Sequence, residues 1–155
     1  MTHQDMLMSG RVTRFSLRLL DRMAELLLKP PAVAQHQKLG TRGEEEAYFY
    51  LRRLGYVMVA RNWRSPRRRG EIDLIGWDGD VLCFVEVKSR TTHDVKPAEA
   101  AVDAAKQDEL GGMAGEYLRH VAGTPSWRFD VLSIYYDQPG APPQITLFKN
   151  AFSLS

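Results

Sequence analysis

Asp73, Glu86 and Lys88 are the residues whose types and spacing suggest chemistry. Two carboxylates leaning inward from one face of a hairpin can share a small hard cation. Glu86 stands in Val81-Leu82-Cys83-Phe84-Val85-Glu86-Val87, where six of seven residues are apolar, the pattern of a strand buried on both sides. An unpaired carboxylate there costs several kcal/mol or takes up a proton, so it needs a cationic partner. Lys88 and a divalent ion both qualify. Oxygen ligands favour magnesium over zinc, and the ion keeps several waters.

The elements that must position these groups are two strands, Glu71 to Trp77 and Asp80 to Lys88, joined by a two-residue Asp78-Gly79 turn. Trp77 then pairs with Asp80, which sets Asp73 opposite Phe84 and Glu71 opposite Glu86. Alternation puts Glu71, Asp73, Phe84, Glu86 and Lys88 on one face, with Asp73 and Glu86 as diagonal neighbours roughly 7 to 8 Å apart. Ile72, Leu74, Gly76, Val81, Cys83, Val85 and Val87 take the other face, a core face. The competing reading is an edge hairpin whose polar end is wet and whose Glu86 simply pairs with Lys88.

Upstream, Phe15 to Leu28 spaces Leu17, Leu20, Met23, Leu27 and Leu28 as an amphipathic helix, which Lys29-Pro30-Pro31 separates from the rest. Residues 1–37 therefore read as an N-terminal arm and 38–155 as the domain proper. Thr41-Arg42-Gly43-Glu44 has the form of a capping box opening a helix that carries Ala47, Leu51 and Leu54 and stops at Gly55. Tyr56 to Ala60 reads as a strand. Pro97 to about Val121 reads as mainly helical, with a break near Gly111-Gly112 and a stripe of Lys106, Leu110, Met113 and Tyr117. Strands at Trp127 to Tyr136 and Gln144 to Lys149 follow. One helix, three strands, a helix and two strands imply an α/β fold, a mixed sheet covered by helices, because the later strand must return by a crossover.

Length fits one core, and no apolar run reaches the length of a membrane span. A lone cysteine, Cys83, forms no internal disulfide and reads as core. With no Cys/His zinc spacing and no secretory signal in the opening residues, a reducing cytoplasmic setting is expected. Net charge is only +2, but seven arginines and no acid lie between Arg52 and Arg69, beside Trp63. That block is a candidate nucleic-acid footprint or a solvated loop. His3, His36, His93 and His120 form no cluster in the sequence, and Arg128 with Asp130 reads as a structural pair.

Gly40-Thr41-Arg42-Gly43-Glu44, Arg61-Asn62-Trp63-Arg64, Gly70-Glu71-Ile72-Asp73-Leu74-Ile75, Phe84-Val85-Glu86-Val87-Lys88-Ser89-Arg90, Lys106-Gln107 and Arg128-Phe129-Asp130-Val131 together resemble the YraN-like family. The likeness spans about residues 38 to 150. That family lies in the PD-(D/E)xK nuclease superfamily, and Glu44, Asp73, Glu86 and Lys88 are also similar to the pattern of archaeal Holliday-junction resolvases. Ile72 stands where the superfamily motif shows proline. The resemblance implies a restriction-endonuclease-like fold of core order αβββαβ and a magnesium-dependent endonuclease, with manganese as a substitute ion, acting on DNA, branched or repair intermediates included. Asp73, Glu86 and the Val87 carbonyl would hold the ion, and Lys88 would position the attacking water. Glu44 would join them from the first helix, unless its place in the capping box already explains it. Arg61, Arg64, Arg67, Arg68, Arg69, Lys106 and Gln107 are the expected nucleic-acid contacts. A homodimer would suit a two-fold symmetric substrate, though no residue pattern demands one. The alternatives are a non-catalytic nucleic-acid-binding protein on the same fold, and an interaction module with a merely solvated carboxylate face.

Overall fold

The computed structural model describes residues 32–91 and 102–154. The chain divides into two units, Met1–Gln37 and Lys38–Ser155. The amphipathic helix expected at Phe15 to Leu28 and its Lys29-Pro30-Pro31 linker fall outside the described residues.

Helix α1 covers Ala32–Arg53, followed by strands β1 (Val57–Trp63), β2 (Ile72–Asp78) and β3 (Val81–Arg90). Helix α2 (Ala104–Leu118) precedes β4 (Ser126–Tyr135) and β5 (Gln144–Phe152). The strands form one sheet in chain order, β1-β2-β3-β4-β5. Only β3 and β4 are parallel; every other pair is antiparallel. A mixed α/β sheet results, because β4 can run beside β3 in the same direction only after a crossover through α2. This is the architecture of the restriction-endonuclease-like fold.

Three expectations need correction. The helix does not open at Thr41: Thr41-Arg42-Gly43-Glu44 lies inside α1, which runs unbroken from Ala32, so no capping box forms there. The hairpin turn is Gly79-Asp80 rather than Asp78-Gly79, and Asp78 pairs with Val81. Gly79 alone takes a positive φ, 62°, as a type II′ turn asks of its first central residue, whereas Asp-Gly in a type I′ turn would need positive φ at both positions. Finally, α2 is continuous through Gly111 and Gly112. These glycines serve close approach: a Cβ at Gly111 would strike Leu154, and one at Gly112 would strike the Arg68 guanidinium.

Both faces of the sheet are covered. Ala47 and Leu51 of α1 bury against Leu74, Cys83, Val85, Leu132 and Ile134. On the other face, Leu110, Met113 and Ala114 of α2 bury against Ile75, Phe84, Phe129 and Val131. Residues directly opposite share a face, so the register aligns Phe84, Phe129 and Phe152 in one row and Glu86, Val131 and Phe148 in the next. Phe129 stacks on Phe152 with centroids 4.6 Å apart. Each of the largest buried side chains contributes roughly 1.5–3 kcal/mol. That row fixes the position of β3, and with it Glu86.

Candidate metal and phosphate site

β2 lies between β1 and β3, and β3 between β2 and β4, so the hairpin is not an edge and its polar end is not simply wet. Glu86 is 5% exposed. The corrected turn shifts the register by two residues. Leu74 pairs with Val85, the last pair between β2 and β3, and beyond it Ile72 turns to the α2 face with Ile75 and Phe84 rather than to the face of Leu74. Glu86 and Lys88 share a face of β3, and Asp73 is close enough for the Glu86 charge to act on it.

Two lysines and three carboxylates cluster there. Lys88 Nζ donates to Glu86 Oε1 at 2.7 Å, and the Val87 backbone N–H donates to Asp73 Oδ2 at 2.7 Å. Lys106 Nζ, from the first turn of α2, stands 3.8 Å from Glu86 Oε2 and donates to Glu109 Oε1 at 2.9 Å. Burial, then the Glu86 charge, pushes the Asp73 carboxyl up to about 7 against the pull of the Val87 N–H. The Glu44 charge adds to that push, so Glu44 belongs to the same electrostatic neighbourhood. Two features bring it there. Gly43 lets α1 approach β3, since a Cβ would collide with Ser89 Oγ. Asn62 then donates its side-chain amide to Glu44 Oε2 at 2.7 Å.

Among the described residues, no three His, Cys, Asp or Glu side chains form a ready-made metal cage. Magnesium asks for less: one or two carboxylates, with waters completing the shell. Glu86 Oε2 is buried without a hydrogen-bond partner, beside a second carboxylate whose charge is already opposed. A buried orphan oxygen of this kind fits a cation. Asp73 and Glu86 could hold it.

The arginine block divides. Arg64 donates to Glu71 Oε2 through Nε at 2.9 Å and Nη2 at 2.6 Å. The Arg67 guanidinium lies 3.9 Å from Glu116 Oε1, and its backbone N–H donates to Ser65 Oγ at 3.0 Å. Arg68 rests against Gly112, while Arg69 is exposed. Arg61 sits over the Tyr48 ring, 5.0 Å from its centroid. Lys106 reaches the site, but Gln107 does not: its amide donates to the Val102 carbonyl at 2.9 Å.

Asn62, Tyr48 and Glu116 were missed from the sequence. Glu116 is 4% exposed and accepts from the Ser65 hydroxyl, tying the arginine loop to α2. Its signal was its position three residues after Met113 on the apolar stripe. Asn62, at φ 47°, is among the residue types enriched in the left-handed region, but nothing in the sequence marks it as occupying that region here. His120 Nδ1 lies 2.9 Å from the Glu116 carbonyl, a helix-end contact. At the opposite end of the hairpin, Arg128 forms the expected pair with Asp130 at 2.8 Å and also donates to Asp78 at 2.7 Å.

The fold and this site define a restriction-endonuclease-like α/β domain with two neighbouring carboxylates and a lysine on its central strands. The profile described as "Uncharacterised protein family UPF0102" matches residues 43–134, and the chain belongs to that family, the YraN-like family. A UPF0102 protein of Koribacter versatilis is 49% identical over 143 residues, covering 92% of this chain and 96% of its own length. One from Solibacter usitatus is 41% identical over 135 residues, covering 86% and 98%. Another, from Desulforamulus reducens, is 38% identical over 120 residues, covering 76% and 97%. No helix among the described residues is long and apolar enough to cross a membrane.

Proposed function

We propose that the protein is a magnesium-dependent nuclease that hydrolyses phosphodiester bonds in DNA, with Asp73 and Glu86 holding the ion and Lys88 beside it. The observation that carries this reading is the Glu86 Oε2 atom, buried and without a hydrogen bond while the Asp73 carboxyl stands near it. Magnesium, when bound, supplies Lewis acidity and a template for water and phosphate. The Val87 N–H fixes which Asp73 oxygen is committed to the backbone. Lys88 offsets negative charge gathering on the phosphoryl oxygens as water adds to phosphorus and the ester oxygen departs. Lys106 lies where it can contact the same phosphate.

A second reading has its own support. Lys88 and Lys106 both flank Glu86, so its charge is offset even without an ion. That suits a non-catalytic nucleic-acid-binding protein on the same fold. The test is cleavage of linear, flapped and four-way DNA with and without magnesium or manganese. Wild-type protein should cut; Lys88→Ala should lose about 100-fold or more while retaining the ion, and Glu86→Gln should lose ion and cleavage together. Wild-type protein that cuts nothing, yet binds DNA with steep salt dependence, would establish the binding reading instead.

A further inference from the structure

Along α1, Glu44, Tyr48 and Arg52 are successive i, i+4 positions on one stripe, with Arg52 about 12 Å from Glu44 along the axis. Two consecutive residues of β1 dock on that stripe: Asn62 on Glu44 and Arg61 on Tyr48. Neighbours in a strand normally point to opposite faces; the left-handed backbone of Asn62 permits both contacts. Arg52 also lies over the Tyr48 ring, 5.8 Å from its centroid. Tyr48 thus holds two exposed guanidiniums, one from each element, beside the carboxylate site.

We infer that Arg61, Tyr48 and Arg52 form a phosphate clamp that receives the nucleic-acid backbone next to the bond held at Asp73 and Glu86. This rests on the proposed nuclease reading and adds to it the path of the strand. Arg64 and Arg67 are poorer candidates for this role, because Arg64 is committed to Glu71 and Arg67 is shared with Glu116. Among the described residues, Arg52 and Arg61 form no ion pair; their fixed partner is a neutral ring. A ring holds a guanidinium by its π face and leaves the N–H edge open, the edge that meets phosphate bidentately. The ring also removes rotamer freedom before the ligand arrives. Arg53, one residue on, lies instead with Glu45 and Glu46 around a separate hollow.

The experiment measures binding of fluorescent duplex and single-stranded oligonucleotides to the full chain in EDTA across a sodium chloride series, alongside cleavage in manganese. On duplex DNA, Arg52→Gln with Arg61→Gln should flatten the slope of log K against log salt by about 1.8, since each lost phosphate contact removes about 0.9. Arg53→Gln should leave that slope at the wild-type value. Tyr48→Leu keeps every charge, so it should weaken binding several-fold at unchanged slope, and Tyr48→Phe should restore wild-type affinity. A double arginine variant with the wild-type slope, or Tyr48→Leu with wild-type affinity, overturns the clamp. Loss of binding to anionic vesicles without loss of DNA binding would assign the surface to a membrane and overturn it too. Because binding is read without divalent ions, absence of cleavage by wild-type protein removes the nuclease reading alone, while unchanged binding in the variants removes the clamp alone.

Discussion

Asn62 donates its amide to Glu44 Oε2 at 2.7 Å from a backbone held at φ 47°, a conformation that glycine adopts without strain. Replacing Asn62 with glycine therefore separates the side chain from the backbone. If the amide aims Glu44 at an ion shared with Asp73 and Glu86, Asn62→Gly should weaken manganese binding by about 10-fold or more at near wild-type melting temperature. Titration calorimetry with manganese reads the first quantity and a thermal melt the second. Unchanged affinity would leave Glu44 outside the ion's reach.

The Asp73 carboxyl, pushed up to about 7 by burial and by Glu86, keeps a proton that the unfolded chain releases near its ordinary value of 3.8. The folded state then binds more protons between those values, so metal-free protein should lose stability as pH rises from about 4 to 7, the cost remaining above 7. Asp73→Asn removes that cost. Melts in EDTA should show the variant more stable than wild type at pH 8, with the difference closing toward pH 4. Equal melting temperatures at pH 8 would mean that neither burial nor the Glu86 charge disfavours the ionised Asp73 carboxyl.

Arg128 spans Asp130, fully buried, and Asp78, with Tyr56 accepting a further hydrogen bond at 3.0 Å. Arg128→Ala leaves a buried carboxylate without its cation and should cost about 3–5 kcal/mol in urea unfolding. Hydrogen bonds from Arg128 and Lys149 hold the Asp78 carboxyl at about 2, below its ordinary 3.8. That contribution is complete above pH 4 and fades as pH falls toward 2, so the penalty of the Arg128 variant should shrink across the same window.

Much of the site was legible because alternation along a strand is insensitive to an even error. An Asp78-Gly79 turn differs from the observed Gly79-Asp80 turn by one residue and from the observed register by two, and Glu86 and Lys88 stay on one face either way. What stayed hidden depended on distance in the chain. Nothing local distinguishes a capping-box Glu44 from a Glu44 inside a longer helix, since Thr-Arg-Gly-Glu satisfies both patterns. The division of the arginine block was equally unreadable: Glu116, which engages Ser65 and Arg67, lies 51 residues from that serine.

Cys83 is fully buried, and its thiol is pushed up to about 12 by burial and by the Asp130 charge. A thiolate is the form that reacts, so alkylating reagent at pH 8 should leave the native protein unlabelled and label one site in guanidinium. Mass spectrometry after a timed quench reads the difference. Rapid native labelling would mean that the α1 face opens far more readily than its packing implies.

Because the strands join the sheet in the order in which they occur in the chain, growth during synthesis is by addition at one border. Asp73 and Glu86 leave the ribosome within one hairpin, but the row that steadies Glu86 waits for Phe129 and then Phe152. A message cut short before β4 therefore yields a polypeptide that carries Asp73, Glu86 and Lys88 without the row that seats Glu86.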